Sequence, residues 1–264
     1  MEHLSAHDAI RRAYEDLGAL ADRERVEEYR LGRTADVLIR EAGGYEGKRV
    51  LELGSSVGVH AIAASLLGAK TVVGVDKFVF PDTCDSPFRL SVEALKTAQT
   101  IWARHRIDIQ PHDLAERLPY ADGSFDLVVC NAVIEHCHGI HKQLFAEVHR
   151  VLAPGGRFVF TTPNLAMLLK RVRFFLGKSP LWDLKDYFES GHDFTGHVRE
   201  FTVEECKQML TWSGMEPVYV KAQTGYWKRS WLMNPRKWRK VMFAMVSRLS
   251  SQWGDLIYAV GRKP

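Results

Sequence analysis

The sequence predicts an α/β fold, with a seven-stranded, mostly parallel sheet, helices on both faces and a helical extension at the N-terminus. The main observation is that short apolar runs alternate with helix-like segments from about residue 46 onward. Three of these runs, at 49–53, 71–75 and 125–130, are almost continuously apolar, which is typical of parallel strands covered on both faces. Residues 8–42 instead carry apolar side chains at helical spacing, and Gly43-Gly44 closes that segment.

The remaining elements follow from the same patterns. Further strands are predicted at 107–110, 157–161, 215–221 and 255–261. A helix is predicted from Thr202 to Trp212, because Thr202 and Glu205 form a capping box and Gly214 follows the last turn. A chain of 264 residues with 46% hydrophobic residues is large enough to bury one full core, so a single domain is expected.

The most informative stretch is Val50–Gly58 together with the strand that follows it. An apolar strand ends at the acidic Glu52, runs into a turn with Gly54 and Gly58, and continues into a helix. The next strand ends at a second acid, Asp76, about 20 residues further on. This arrangement is typical of a nucleoside-binding βαβ unit, in which the glycines let the backbone turn sharply and approach a ligand.

From Arg49 to Thr162 the sequence resembles the class I S-adenosylmethionine-dependent methyltransferases. The first motif of that family, an acid followed by Gly-x-Gly-x-Gly, stands here as Glu52-Leu53-Gly54-Ser55-Ser56-Val57-Gly58, with Ser56 at the middle glycine. The dinucleotide fingerprint G-x-G-x-x-G does not fit this stretch. Other segments resemble the family's adenine-contacting motif, its fourth strand and the start of its fifth strand; they are 111–114, 118–129 and 150–157.

The resemblance implies a doubly wound, Rossmann-like sheet that ends in an antiparallel hairpin, with S-adenosylmethionine as cofactor and S-adenosylhomocysteine as product. Asp76 is expected to accept hydrogen bonds from both ribose hydroxyls and Asp113 to accept one from the adenine amino group. Asn131 is expected beside the sulfonium. The implied cofactor contacts are Glu52, Gly54, Ser55, Ser56, Gly58, Asp76, Lys77, His112, Asp113, Leu114 and Asn131. For Glu52 a structural alternative stays open, in which it satisfies the amides of the turn.

The acceptor is expected beyond the fourth strand, where Glu135 and His136 follow Asn131. A hydroxyl acceptor benefits from a general base, and histidine titrates near neutral pH. We therefore predict His136 as the base, with Glu135 orienting it; the alternative is that both residues cap or pack the next helix. Some quinone-type relatives bind a divalent metal near a similar Glu-His pair, but only the pair matches here, so no metal is predicted.

A second histidine-bearing segment, residues 191–201, resembles the acceptor-covering region of small-molecule and glycan methyltransferases that have a His-x-Arg-x-Phe-Thr run. His192, His197 and Arg199 are therefore predicted substrate contacts. A plain surface turn rich in Gly, His and Asp is the alternative. On this basis residues 1–45 form the N-terminal helices, 46–162 the cofactor-binding half and 163–264 the acceptor-side half.

Charge is unevenly distributed along the chain. Residues 217–254 contain eight Lys or Arg and no Asp or Glu, so the charge of this segment is +8. Because the net charge of the whole chain is +4, the remaining residues together carry −4. It also holds four of the seven tryptophans, and Trp238, Met242, Met245, Leu249 and Trp253 form one helical stripe. A basic-aromatic helix over 226–253 suits an anionic membrane surface. The alternative is that the stripe packs on the sheet; nucleic acid is a weaker candidate because the rest of the chain is acidic.

Together these observations predict a methyltransferase that acts on oxygen of a small-molecule, saccharide or lipid-linked acceptor. An RNA or protein methyltransferase, or a cofactor-binding partner protein without turnover, is the alternative. The start of the chain shows no secretory signal pattern and no apolar run reaches the about 20 residues of a membrane span. We therefore expect a cytoplasmic protein with peripheral contact to the inner face of the membrane.

Overall fold

The predicted alternation of strands and helices is present in the computed structural model, which describes residues 4–78, 91–181, 184–189, 196–224 and 238–264. The strands are β1 (Arg49–Leu53), β2 (Thr71–Asp76), β3 (Ile107–Pro111), β4 (Phe125–Asn131), β5 (Leu152–Pro163), β6 (Glu216–Gln223) and β7 (Leu256–Arg262). The helices are α1 (Ala6–Leu17), α2 (Glu28–Glu41), α3 (Val59–Leu66), α4 (Val92–His105), α5 (His141–Val151), α6 (Leu168–Phe175), α7 (Leu184–Glu189), α8 (Val203–Trp212) and α9 (Trp238–Val246).

The seven strands form one sheet in the order β3-β2-β1-β4-β5-β7-β6. Strands β1 to β5 are parallel, and β7 runs antiparallel to both β5 and β6. This confirms the doubly wound sheet with an antiparallel end. The strand order reverses between β1 and β4, so the loops after these two strands flank a crevice at the C-terminal edge of the sheet, where open α/β sheets bind ligands.

Both faces of the sheet are buried, as the continuous apolar strands predict. Successive side chains of a strand point to opposite faces, so Val50 and Leu127 join one core cluster while Leu51 and Val128 join the other. Helices α1 to α4 contribute to the first cluster, and α5 and α8 contribute to the second. The N-terminal extension is thus part of the core, since Ala9, Ile10 and Ala13 of α1 are fully buried.

The structure also refines the predicted boundaries. The N-terminal helix is interrupted by a 3₁₀ segment, Gly18–Glu27, because Gly18 ends α1 with a positive φ of 52°. Strand β5 begins at Leu152 and not at residue 157. The capping box of Thr202 and Glu205 is present, with both of its reciprocal hydrogen bonds.

The helix predicted over 226–253 is only partly confirmed. Residues 226–237 lie outside the described residues, α9 ends at Val246, and a 3₁₀ turn at Ser247–Leu249 follows. Trp253 therefore does not continue the helix. The stripe of Trp238, Met242, Met245 and Leu249 is 55–80% exposed, while Val241 and Ala244 are buried. The alternative in which this stripe packs on the sheet is wrong for these residues. Among the described helices, none has the length and apolar character needed to cross a bilayer.

Candidate active site

The glycine-bearing turn after β1 folds back on the end of β2. The amides of Gly54 and Ser55 donate to the carbonyl of Val75 at 2.8 and 3.2 Å. Gly54 and Gly58 have φ of 73° and 90°. Ser56, which stands where the family has its middle glycine, has a φ of 48°, so it adopts the left-handed conformation that glycine adopts without steric cost.

Asp76 is fixed at the tip of β2 by this turn. Its Oδ2 accepts a hydrogen bond from the amide of Ser56 at 2.8 Å, and its Oδ1 accepts one from the amide of Phe78 at 3.0 Å. Each carboxylate oxygen has a second lone pair, so both oxygens can still accept from a ligand hydroxyl. The amide of His112 donates to the carbonyl of Asp76 at 2.9 Å, which joins the end of β3 to the same crevice.

Asp113 is held in its charged form beside Asp76. Lys77 donates to its Oδ2 at 2.8 Å and the amide of Ala115 donates to its Oδ1 at 2.9 Å. The hydrogen bond from Lys77 is the main reason that the pKa of Asp113 is lowered, and burial acts weakly against it. The next residue, Leu114, is half-buried and packs against the second core cluster. Lys77 is thus placed to hold Asp113; direct contact of either residue with the cofactor stays a prediction.

Glu52 has a partner that the sequence did not suggest. It is 3% exposed, and its Oε1 lies 3.2 Å from Nδ1 of His60 on α3. The other ring nitrogen of His60 lies 2.8 Å from the hydroxyl of the fully buried Tyr45. Tyr45, His60 and the Glu52 carboxylate therefore form a buried chain of polar groups next to the turn. This differs from the predicted alternative, in which Glu52 binds the amides of the turn.

Asn131 ends β4 on the other side of the crevice. Its Oδ1 accepts a hydrogen bond from the hydroxyl of Thr161 at 3.4 Å. Its Nδ2 is buried and meets no hydrogen-bond partner among the described residues. A buried amide donor without a partner is costly, and it leaves one donor at this position for a bound molecule.

The turn that follows Asn131 contacts the glycine-bearing turn directly. A Cβ placed on Gly54 would lie 2.4 Å from Cγ2 of Val133. Val133 stands between Asn131 and the 3₁₀ turn Ile134–His136, which carries Glu135 and His136. The close approach of Gly54 and Val133 therefore places the predicted cofactor and acceptor segments side by side.

His197 joins Glu135 and His136, although it lies about 60 residues further along the chain. The carbonyl of Glu135 accepts hydrogen bonds from the amides of Val198 and Arg199 at 2.8 and 3.3 Å, which docks the second segment on the first. The rings of His136 and His197 meet edge to face with centroids 5.0 Å apart. Donor atoms of Glu135, His136 and His197 all lie within 4.8 Å of one another. We call these three residues the acceptor-side cluster.

The two imidazoles of this cluster are oriented by acceptors. Nδ1 of His136 lies 3.2 Å from the carbonyl of Gly196, and Nδ1 of His197 lies 3.0 Å from Oε1 of Glu200. A carbonyl oxygen can only accept, so Nδ1 of His136 carries the hydrogen, and in the neutral ring Nε2 is then the basic nitrogen. Orientation of His136 by the Glu135 carboxylate stays a prediction; the acceptor that faces Nδ1 of His136 is the carbonyl of Gly196, and both carboxylate oxygens of Glu135 are buried.

Glu135 itself is the most perturbed carboxyl of the site. It is fully buried, and burial raises its pKa from 4.5 to about 7. The charges of His197 and of Arg30 and the nearby Thr162 hydroxyl act in the opposite direction. Arg30 belongs to α2, so a charge on an N-terminal helix acts on Glu135, which the sequence did not indicate.

Glu200 connects the cluster to α6. It binds Lys170 of α6 as well as His197. Burial raises its pKa, but the hydrogen bonds from His197 and Lys170 outweigh burial and the pKa is lowered overall. Glu200 is therefore a charged residue that holds the imidazole of His197 in place.

The other predicted substrate contacts are placed differently. The guanidinium of Arg199 donates to Oε1 of Glu205 at 2.7 Å and lies over the ring of Phe201, so its side chain supports the cap of α8. His192 lies outside the described residues. Substrate contact by Arg199, His192 and His197 stays a prediction.

Known proteins match the region that builds this site. A family model for a methyltransferase domain matches residues 51–160, and a second model, for S-adenosyl-L-methionine-dependent methyltransferases, matches residues 113–213. A probable S-adenosylmethionine-dependent methyltransferase of Mycolicibacterium smegmatis is 37% identical over 122 residues, 46% of this chain and 40% of that protein. The ubiquinone biosynthesis O-methyltransferase of Pseudomonas syringae is 32% identical over 126 residues, 48% of this chain and 49% of that protein. The chain thus spans half or less of these relatives' length.

The whole fold also has a counterpart among solved structures. An S-adenosylmethionine-dependent methyltransferase from Mesorhizobium loti superposes with a TM-score of 0.59, covering 90% of this chain and 98% of that one at 20% identity. At this identity the likeness concerns the fold alone. The two family models show that residues 51–213 are similar to S-adenosylmethionine-dependent methyltransferases, and the sheet order and the turn between β1 and α3 agree with that similarity.

Proposed function

We propose that this protein transfers the methyl group of S-adenosylmethionine to an oxygen atom of a small-molecule, saccharide or lipid-linked acceptor. One observation carries the proposal. The acceptor-side cluster follows β4 directly, and its turn touches the turn after β1 through Val133 and Gly54. Groups able to take a proton therefore lie next to the cofactor crevice.

The crevice offers the groups that the cofactor needs. Asp76, fixed by two amides, would accept from the ribose hydroxyls, and Asp113 would accept from the adenine amino group. Asn131 offers its buried Nδ2 on the opposite side. Positions held this firmly favour methyl transfer, because an in-line displacement depends mainly on aligning the two reactants.

In the proposed step, the acceptor oxygen attacks the methyl carbon as the carbon–sulfur bond breaks, and S-adenosylhomocysteine leaves. The hydroxyl proton passes to Nε2 of His136, which is the basic nitrogen of the neutral ring when Nδ1 donates to the carbonyl of Gly196. Glu135, which has a carboxylate oxygen within 4.8 Å of a ring nitrogen of His136, would stabilise the resulting positive charge once that carboxyl is ionised.

The test is turnover with isotopically labelled S-adenosylmethionine and cell extracts, with the labelled product followed by mass spectrometry. His136→Ala should lower turnover by about 100-fold or more, while affinity for S-adenosylhomocysteine stays within about threefold. His138→Ala is the matched control, because His138 is two residues away and exposed. Equal losses in both variants, or loss of cofactor binding in His136→Ala, would mean that His136 packs the turn and is not the base.

Two further outcomes would replace parts of the proposal. Label recovered only in RNA or protein would favour the macromolecular alternative. Loss of activity on chelation, with recovery on adding a divalent cation, would mean that the acceptor-side cluster holds a metal. Its ligand atoms all lie within 4.8 Å of one another, close enough for small side-chain movements to bring the three residues onto one cation.

A further inference from the structure

The segment after β5 exposes large apolar side chains in a way that the fold does not require. Helix α6 has no buried residue. Between residues 174 and 188, seven large apolar or aromatic side chains are 61–89% exposed; they are Phe174, Phe175, Leu176, Leu181, Leu184, Tyr187 and Phe188. We call residues 168–189, where described, the α6–α7 segment. Isolated exposed hydrophobic residues are ordinary, but a concentration of this kind marks a contact with another apolar phase.

The charge of α6 and of the residues just after it indicates which phase this is; α7 instead contains Lys185, Asp186 and Glu189. Residues 165–178 contain Lys170, Arg171, Arg173 and Lys178 and no acidic residue. Lys170 is engaged with Glu200, whereas α6 also exposes Arg173 next to Phe174 and Phe175. Aromatic side chains interleaved with positive charge suit the interface of an anionic bilayer, in which rings enter the headgroup region and cations meet lipid phosphates.

The placement of α6 ties this surface to the active site. Lys170 binds Glu200, which binds His197 of the acceptor-side cluster. The start of α6 also meets the segment after α9, since the amide of Leu168 donates to the carbonyl of Trp253 at 3.1 Å. Helix α9 exposes its own apolar stripe, which begins at Trp238. The predicted membrane contact of α9 is therefore linked through Trp253 to α6.

We propose that α6 and residues 176–178 bind the surface of an anionic lipid membrane and, together with α9, hold the acceptor side of the crevice at the lipid surface. Lipid binding itself does not depend on the proposed function. The further step, that a lipid-linked acceptor enters at this side, rests on the proposed function.

The test is co-sedimentation of the full chain with vesicles of equal parts phosphatidylglycerol and phosphatidylcholine, compared with vesicles of phosphatidylcholine alone. The wild type should bind the anionic vesicles at low salt and be released at high salt. Phe174→Ser with Phe175→Ser should weaken binding by about tenfold or more. Trp212→Ser is the matched control, because Trp212 is 78% exposed and ends α8 at the side of the sheet where the parallel strands begin, away from the crevice. Binding should therefore not change.

The electrostatic part is tested separately. Arg173→Gln with Lys178→Gln should weaken binding by about fivefold for each charge removed. Lys70→Gln with Lys96→Gln removes the same charge at two exposed positions outside this segment and should have no comparable effect. Binding of S-adenosylhomocysteine by each variant verifies that it is folded.

Equal binding to neutral and anionic vesicles, or unchanged binding in the phenylalanine variant, overturns the proposal. The proposal is also overturned if the wild type does not bind vesicles but dimerises with increasing concentration, or binds RNA, and the phenylalanine variant abolishes that association. The proposed function is assessed independently, since vesicle binding needs no turnover. If vesicles bind but no methylated product forms, the membrane surface stands and the proposed reaction fails.

Discussion

The buried carboxyl of Glu135 makes the stability of this protein depend on pH in an unusual direction. Its pKa in the folded chain is about 7, against an ordinary value of 4.5. A carboxyl with a raised pKa contributes stability that is fully present below its unfolded value and is lost as pH rises through its folded value. At about 1.4 kcal/mol per pH unit, the ionised form costs the fold about 3 kcal/mol above pH 7.

Glu135→Gln should remove this dependence, because glutamine has nearly the same shape and does not ionise. The difference in free energy of unfolding between the variant and the wild type should be constant below about pH 4. It should grow in favour of the variant by about 3 kcal/mol as pH rises from about 4.5 to about 7, and level off above that. In a chain of this length that corresponds to about 6–12 °C in Tm. Urea unfolding followed by tryptophan fluorescence at several pH values measures it.

When the free energies of unfolding of Glu135→Gln and the wild type are subtracted at each pH, the contributions of all distant titrating groups cancel. Glu147→Gln is the matched control: the hydrogen bond from Arg150 lowers the pKa of Glu147, so this group is already ionised above pH 5. The difference between Glu147→Gln and wild type should therefore stay flat from about pH 5 to about pH 8.5. A flat difference for Glu135→Gln as well would refute the reasoning and would mean that the Glu135 carboxyl is ionised in the folded protein at ordinary cost.

Two further predictions concern the cofactor crevice. Asp76→Ala should weaken binding of S-adenosylhomocysteine at least tenfold by calorimetry, because each charge-assisted hydrogen bond contributes roughly 1.5–3 kcal/mol; unchanged affinity would argue against ribose contact. Gly54→Ala should lower cofactor affinity and stability more than Gly47→Ala does. Both glycines have a φ near 70°, but only at Gly54 would the new Cβ collide with a neighbour, Cγ2 of Val133. Equal losses of affinity and stability in the two variants would show that backbone strain causes the loss and that the collision with Val133 does not contribute.

Much of the fold could be predicted from the sequence because its signals are local. Period and composition along a strand or helix reflect which faces are buried. The strands, the capping box of α8 and the turn between β1 and α3 were all predictable in this way. The turn even keeps its backbone shape with Ser56 in place of glycine, since one residue in a left-handed conformation costs only about 1–2 kcal/mol.

The active site could be predicted only in parts, since its residues come from distant segments. Glu135 and His136 were identifiable after β4, and His197 was identifiable within its own segment, but their meeting depends on amides of residues 198 and 199 docking on Glu135. The pairing of Glu52 with His60 and the approach of Arg30 gave no local signal. Such contacts depend on which side chains the packed sheet and helices bring together.

The sequence by itself thus determined the sheet, the order of its elements and the resemblance to S-adenosylmethionine-dependent methyltransferases, because these follow from short-range pattern and from motifs read in order. Only the tertiary structure decided the chemistry of the acceptor side. The raised pKa of Glu135 requires burial by elements from several parts of the chain, and no pattern within a single segment carries that information. The exposure of α6 and of the Trp238 stripe was likewise decided by packing, because an apolar stripe has the same sequence whether it faces a core or a lipid surface.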